Sequence, residues 1–557
     1  MLSKHTEGLT SNLSGKSFQS IYRKRRISMP LKTFLFLVFL SFTYCSQVYS
    51  GPDPYTVELE EIPAVNSPTL QSFAYAQSGG KWLLLAGRTN GLHSFNSSPS
   101  FPSRFQNRTM YVYDPVTGQV WSRSTYQDLS LSLADRLSST NTNYTQVGNR
   151  LYVIGGYGLD SLQDSITTFQ NITAIDVNET INAIINGQSV SPYVRTLEDS
   201  RLACTGGDLG YKDGYFYLYG GQRFYGDYLS PFSVQYYNYS YSKFQVVDNG
   251  STLSLANYNV TVDSINLRRR DLNFVDAVHP DGTPYFINYG AVFTLSTLPW
   301  LNPVYLDDTG YTVDESFDQL FQQYDCASFV MMDSTTGDLY TTLFGGISYY
   351  YYDTVIQQVV QDSAVPFVHD ITYITRSANG TTNQDLLPIR MPDLLGAEAK
   401  LIADTTVPHY DNGVIKFHEL TKRTKIGHIF GGIHADTSNF GNKSTANGKI
   451  YAVYVTPKSV GIQNISGEIP ADYSISQNYP NPFNPSTKIR FSIPKSNFVK
   501  LNIYNALGQK VSQMLNRALD AGTYEVNWHA HDFAAGIYFY RIEADDFVQT
   551  RKMVLIK

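Results

Sequence analysis

One phrase recurs six times along the 557 residues: an apolar run that ends in Gly or Gly-Gly. It reads KWLLLAGR (81–88), NRLYVIGGYG (149–158), GYFYLYGGQR (214–223), PYFINYGAVF (284–293), GDLYTTLFGGIS (337–348) and KIGHIFGGIH (425–434). Most copies follow a second short run, such as LACTGG, LNFVDAVH, CASFVMMD or VIKFHEL. Turn signals lie between the two runs, at Asp213-Gly214, Asp281-Gly282 and Thr336-Gly337, and mark strand–turn–strand units. A later strand often comes after, as in MYVYDPVTGQVWSR (110–123) and KIYAVYVTP (449–457). Such a repeat calls for similar supersecondary units that bury their faces against one another.

The copies fall at Gly87, Gly155, Gly220, Gly290, Gly345 and Gly431, with spacings of 68, 65, 70, 55 and 86 residues. These units resemble kelch repeats, over about residues 55–457. The spacings exceed the kelch period of about 50 residues, so loops are inserted between strands. The resemblance implies a six-bladed kelch-type β-propeller, in which the first and fourth copies lack the second Gly. The last blade lacks an outer strand after KIYAVYVTP, and residues 55–63, YTVELEEIP, are expected to supply it.

Composition agrees with an all-β chain. Aromatic residues make up 14% and charged residues 16%, with 43 Tyr and 31 Phe; disorder would need few aromatics and high charge. A coiled coil would need a chain rich in Ala, Glu, Lys, Leu and Arg. Residues 51–472 hold 25 bases and 41 acids. An acidic body excludes nucleic acid as a partner, because phosphate binding takes clustered Lys and Arg. Past Cys45, only Cys204 and Cys326 remain, enough for one bridge or none.

The two ends carry addresses. In residues 1–50 a basic stretch (Arg23 to Arg26, Lys32) precedes an apolar run from Phe34 to Phe42, and Val48 and Ser50 sit at −3 and −1 before Gly51. This is a leader with a signal peptide, for which Met29 is an alternative start. The apolar run is too short to span a membrane, and no transmembrane span is expected in the mature chain. At the other end, NYPNPFNPST, the NIYNALGQKV strand, AAGIYFYRI and the terminal RKMVLIK follow in order. They resemble a type IX secretion system sorting domain of type A, and the strand pattern reads as a small Ig-like antiparallel β-sandwich. The resemblance implies passage through the periplasm, the type IX machinery as partner, and a secreted or outer-membrane surface location. Gly536, Tyr538, Lys552 and Lys557 lie in its signal segments. The domains expected are thus a leader (1–50), a kelch-type propeller (51–459), a linker (460–472) and a sorting domain (473–557).

Candidate ligand residues follow from the blade geometry. The starts of the inner strands and the residues just after each Gly-Gly share one face near the axis. That face collects Arg88, His93, Tyr157, Arg201, Arg223, Arg270, Asp271, Tyr324, Asp325, His409, Tyr410 and His434. Arg201, Arg223, Arg270, Asp271, Tyr324 and His409 are the candidate ligand-binding set. Two roles fit Arg270: a fork for a sugar acid or peptide carboxylate, or a structural ion pair with Asp271, Glu315 or Asp325. The Tyr-rich stretches SYYYYD, RFYGDY and QYYNYSYSKF suit sugar rings and protein partners or cross-strand packing. No metal-ligand spacing, P-loop, dinucleotide fingerprint or nucleophile elbow is present, so no cofactor or metal is expected and no catalytic residue is named. The function expected is binding of a protein or glycan through one propeller face. The alternative is a carbohydrate-active enzyme of epimerase or oxidase type using the central pocket.

Overall fold

The computed structural model describes residues 53–556, apart from 65, 97, 440–442, 459–462, 467–468 and 531–532. The leader, with Met29 and Cys45, and the terminal Lys557 lie outside the described residues. The described chain is all-β and antiparallel almost throughout.

Six successive sheets are built on one plan. Each begins with a hairpin of two strands: Ala74–Ser78 with Lys81–Leu85, Asn143–Val147 with Arg150–Ile154, Thr205–Lys212 with Tyr215–Tyr225, Asn273–Val278 with Pro284–Tyr289, Ala327–Asp333 with Asp338–Phe344, and Ala399–Ala403 with Thr424–Gly431. Two further strands extend each sheet outward. In the sixth sheet the outermost strand comes from the other end of the chain. Tyr55–Ile62 pairs antiparallel with Ile450–Pro457 over eight residues, Tyr55 opposite Pro457 and Ile62 opposite Ile450. The pairing expected of residues 55–63 is therefore present.

Apolar cores sit between consecutive sheets. Leu83, Leu85 and Met110 of the first sheet pack on Leu151 and Val153 of the second. Ile154 and Ile172 meet Leu209 and Phe216 of the third, and Tyr217 and Tyr219 meet Phe286 of the fourth. Ile287 and Tyr289 meet Met332 and Leu343 of the fifth, and Phe344 and Ile371 meet Ile429 and Val453 of the sixth. The series returns to its start, since Ile402 and Phe430 of the sixth sheet pack on Trp82 and Leu84 of the first. Three short α-helices interrupt the all-β pattern among the described residues, Thr125–Asp128, Leu131–Arg136 and Val177–Ile185, and the longest lays Val177, Ile181 and Ile184 against the first core.

The Gly-Gly bends explain this order. Both residues of each bend take left-handed backbone, for example Gly155 (φ 63) and Gly156 (φ 93). The N–H of the second donates to a carbonyl in the lead-in to the next sheet: Gly156 to Cys204 (2.8 Å), Gly221 to Arg269 (2.7 Å), Gly346 to Leu395 (3.1 Å) and Gly432 to Leu70 (2.8 Å). A Cβ on the first glycine would meet the neighbouring sheet, as Gly155 would meet the Cys204 oxygen at 2.0 Å. A Cβ on the second would meet the glycine's own lead-in, as Gly346 would meet Cys326 Cβ at 2.9 Å. The first and fourth copies depart differently. In the first, Ala86 holds the leading position at φ 59, and Gly87 is the donor, to Ser139 (2.8 Å). So it is the leading glycine that this copy lacks, a correction to the sequence reading. In the fourth, Gly290 leads and Ala291 follows.

Seven strands within residues 474–555, with Gln463–Ser466 as an eighth, form two four-stranded antiparallel sheets over a common core that includes Phe491, Trp528, Tyr540 and Met553. Gln463–Ser466 pairs with Gly522–His529 as an edge strand, so part of the expected 460–472 linker is β-structure. The reason is the free edge of that strand, whose unpaired amides and carbonyls recruit extended chain.

Alanine at Gly155 and at Gly250 separates backbone strain from the inter-sheet contact. Gly250 is also left-handed (φ 87) but has nothing within 4 Å of its Cβ position. Gly250→Ala should cost about 1–2 kcal/mol from the backbone alone. Gly155→Ala should add roughly 1–3 kcal/mol of overpacking. Equal denaturation midpoints for the two variants would show that the bend does not confine the neighbouring sheet.

Candidate functional site

The first residue after each bend points to one place. Arg88, Tyr157, Gln222, Val292, Ile347 and Ile433, one from each sheet, all line a single cavity of 360 Å³. A second set lines the same cavity: Ser72, Asn141, Gly206, Asp271, Asp325 and Glu398. Each of these lies two residues before the one that pairs across the hairpin with the residue preceding its bend. All six are left-handed, with φ from 46 to 65. Asn, Asp and Gly tolerate that backbone, which accounts for four of the six.

Arg88 is 2% exposed. Its Nε donates to Asn90 Oδ1 (3.0 Å) and its Nη2 to the Pro102 carbonyl (3.2 Å), and its guanidinium lies over the Phe101 ring at 5.2 Å. Among the described residues no carboxylate forms an ion pair with it. Burial without a counter-charge pulls its pKa down to about 10. His93 stacks on Phe101 at 4.6 Å beside Tyr228 at 4.9 Å, and burial pulls it down to about 4, so the ring is neutral. Tyr157 donates to the Gly226 carbonyl (2.6 Å). Phe101, Tyr157, Phe224 and Tyr228 make an aromatic wall beside the arginine.

The other wall is acidic. Arg270 pairs with Asp271, and its Nε donates to the Tyr237 hydroxyl (3.2 Å). Burial opposes the Arg270 charge, but the Asp271 carboxylate beside it more than offsets that. Glu398 accepts from Asn141 Nδ2 (3.0 Å). Burial, then the neighbouring Asp325, holds its carboxyl well above the usual carboxylate range. Lys400 donates to the same Asp325 (3.3 Å). Glu398 and Asp325 therefore stand next to each other at the cavity wall.

Of the candidate set, the cavity holds Arg270, Asp271 and Tyr324. Arg223 is offset by one residue: strand alternation turns Gln222 inward and lays Arg223 over the Tyr236 ring at 5.7 Å. Arg201 forms an ion pair with Asp199 (2.6 Å) and covers the Tyr258 ring. His409 is exposed and lines a second cavity, of 760 Å³. His434 pairs with Asp393 (2.7 Å), away from His93. Cys204 and Cys326 are both free and buried. Sequence reasoning missed Phe101, Asn141, Gln222 and Glu398. The signal for Gln222 was its position directly after Gly221, but Glu398 carries no local signal.

Asp325 also lines the second cavity, with Asp208, Asp276 and Lys400. Burial pushes Asp208 up to about 6, and burial together with Asp208 pushes Asp276 up to about 7. The fold thus favours protonated Asp276. That stability is complete below an unfolded pKa of about 4 and is lost as pH rises through 7. Asp276→Asn cannot ionise, so it should be more stable than wild type at pH 8, by roughly 1–4 kcal/mol, and equal to it at pH 4. A gap that does not change with pH would place the carboxyl in free contact with solvent.

In the C-terminal sheets the proline-rich loop clasps the last strand. Phe483 N–H donates to Val554 (3.0 Å), Ile556 N–H donates back to Phe483 (2.9 Å), and Val554 N–H donates to Asn481 Oδ1 (2.9 Å). Gly536 pairs with Leu555, and Tyr538 pairs with Met553, its hydroxyl donating to Ala534 (2.8 Å). Lys552 is exposed on the same strand. Residues 477–557 match the family model of a secretion system C-terminal sorting domain. The chain therefore ends in a type IX sorting signal, which implies export to the cell surface or beyond. Among the described residues no helix is long and apolar enough to cross a membrane. No curated protein matches the chain. A solved structure described as "Structure of YjhT" aligns over 71% of this chain and 99% of its own, at 11% identity and a TM-score of 0.39.

Proposed function

We propose that residues 51–459 form a six-bladed kelch-type β-propeller that binds a glycan in the 360 Å³ cavity at its axis, once the type IX machinery has carried it through the periplasm and across the outer membrane. The cyclic series of cores and the pairing of Tyr55–Ile62 with Ile450–Pro457 support the ring. The observation that carries the ligand reading is Arg88, a buried cation without a carboxylate, set beside an aromatic wall. A buried charge is stable only when paired, and a ligand carboxylate or other oxyanion completes it. The aromatic faces suit the apolar faces of sugar rings. The volume falls in the range of small-molecule sites, about 300–1,000 Å³, which favours a glycan fragment over a protein surface.

The test is a glycan array with the purified chain, followed by titration of Arg88→Gln. Acidic glycans should bind, and Arg88→Gln should weaken them by about 1.5–3 kcal/mol while a thermal melt shows that the variant is still folded at the titration temperature. Binding of neutral glycans only, or equal affinity in the variant, overturns the reading.

The enzyme reading draws on one feature, the Glu398 carboxyl beside Asp325 at the cavity, held well above the usual range by burial and by that neighbour, a pairing that suits acid–base work. It requires that bound glycan change chemically and that Glu398→Gln stop the change while binding persists. Bound glycan that stays unaltered by NMR leaves a binding protein.

The tail reading has its own check. Removing the last six residues takes away the strand clasped by Phe483 and Asn481, and in the native host the truncated protein should stop in the periplasm. Normal export of the truncation would overturn the sorting role.

A further inference from the structure

The second cavity, of 760 Å³, has the opposite charge balance from the first. Its cation, Lys400, is already engaged by Asp325 at 3.3 Å. Asp404 is matched by Lys425 at 3.6 Å. Two inner-strand carboxylates form no ion pair among the described residues, although the charge of Lys400 partly offsets the burial of one of them, Asp208. Asp208 stands on the first strand of the third sheet and Asp276 on that of the fourth. The Asp208 carboxylate accepts the Leu209 N–H (2.8 Å), and Asp276 has no hydrogen bond or ion pair among the described residues. Phe274, two residues before Asp276, shares its face of the strand and lines the same space. Tyr75 and Tyr144 complete the wall, edge to face at 5.6 Å, with the Tyr75 hydroxyl tied to the Leu401 carbonyl (3.0 Å).

We propose that this cavity binds a protonated amine or guanidinium between Asp208 and Asp276, against the rings of Tyr75, Tyr144 and Phe274. The chemistry selects that class on three grounds. Two partly desolvated carboxylates side by side repel, and a cation between them removes the repulsion. Aromatic faces attract cations, the more so away from water. A metal ion is the poorer occupant, because among the described residues no three His, Cys, Asp or Glu side chains are grouped to hold one. An organic cation instead brings its own N–H donors to two carboxylates that are acceptor-only once pH exceeds the raised value of Asp276, about 7. The site is independent of the glycan reading, because it uses neither Arg88 nor the aromatic wall around it.

Two probes distinguish the sources of the cation. 1,5-Diaminopentane stands for a free amine, and acetyl-lysine N-methylamide for a side chain of a bound peptide. Each is titrated calorimetrically at pH 8 into the full mature chain and into Asp208→Asn and Asp276→Asn, with 1-pentanol as the uncharged control. At least one probe should bind saturably, weaken about tenfold or more in each variant, and weaken with added salt, while 1-pentanol should not bind. Stronger binding of the diamine assigns a free amine; stronger binding of the capped lysine assigns a peptide side chain. Thermal melts of both variants establish that they remain folded, and Asn keeps the shape of the side chain. No binding of either probe, binding of 1-pentanol as well, or unchanged affinity in either variant overturns the proposal.

Discussion

The rest of the body depends on one hydrogen bond, made again from sheet to sheet. The N–H of the second residue of a left-handed bend donates to a carbonyl in the lead-in to the following sheet. It holds neighbouring backbones so close that the first residue of the bend has no room for a side chain at Gly155, Gly220, Gly345 or Gly431. Neighbouring Asn side chains reinforce the joint. Asn107, Asn238 and Asn447 each donate to the carbonyl of a leading bend residue, Ala86, Gly220 and Gly431. Buried backbone groups must find partners, and here they find them between sheets, so the sheets are locked edge to edge before their cores are counted.

The same bend decides what reaches the axis. The residue after it is committed to the cavity whatever its chemistry, which is why Arg88, Tyr157 and Val292 occupy equivalent places. The left-handed lead-in residue is committed in the same way. Function therefore rests on twelve positions that the scaffold presents and leaves free to vary. In this chain one cavity holds an arginine that no carboxylate pairs with, and the other holds two acids that no cation pairs with, while Asp325 of the Lys400–Asp325 pair lines both. A buried pair of this sort contributes little net stability, so its value lies in where it places charge.

The C-terminal sheets solve a different problem. Their last strand ends the chain, and terminal strands fray unless tied down. The loop with Pro480, Pro482 and Pro485 ties it. Prolines lack the N–H that would compete for strand pairing, and Asn478 braces the loop by donating to Pro480 and Thr487. The export signal is in this way a folded surface rather than a loose peptide.

The repeat, its strand character, the strand supplied by residues 55–63 and the export tail were legible in the amino-acid sequence. Each is a local pattern: alternation, a turn dipeptide, a glycine that backbone geometry requires. Of the positions lining the first cavity, Arg270, Asp271 and Tyr324 were among those the repeat singled out. What the sequence could not decide were matters of one-residue phase and of contact between distant segments. Gln222 rather than Arg223 turns inward because pleating reverses a side chain at every step. Arg201 and His434 lie outside the cavity lining, Arg201 paired with Asp199 and His434 hydrogen-bonded to Asp393. Asn141 and Glu398 meet across 257 residues, and the free state of Cys204 and Cys326 depends on where their sheets lie. Local sequence sets which way a backbone bends, but only the closed arrangement of sheets sets which charges are left without partners.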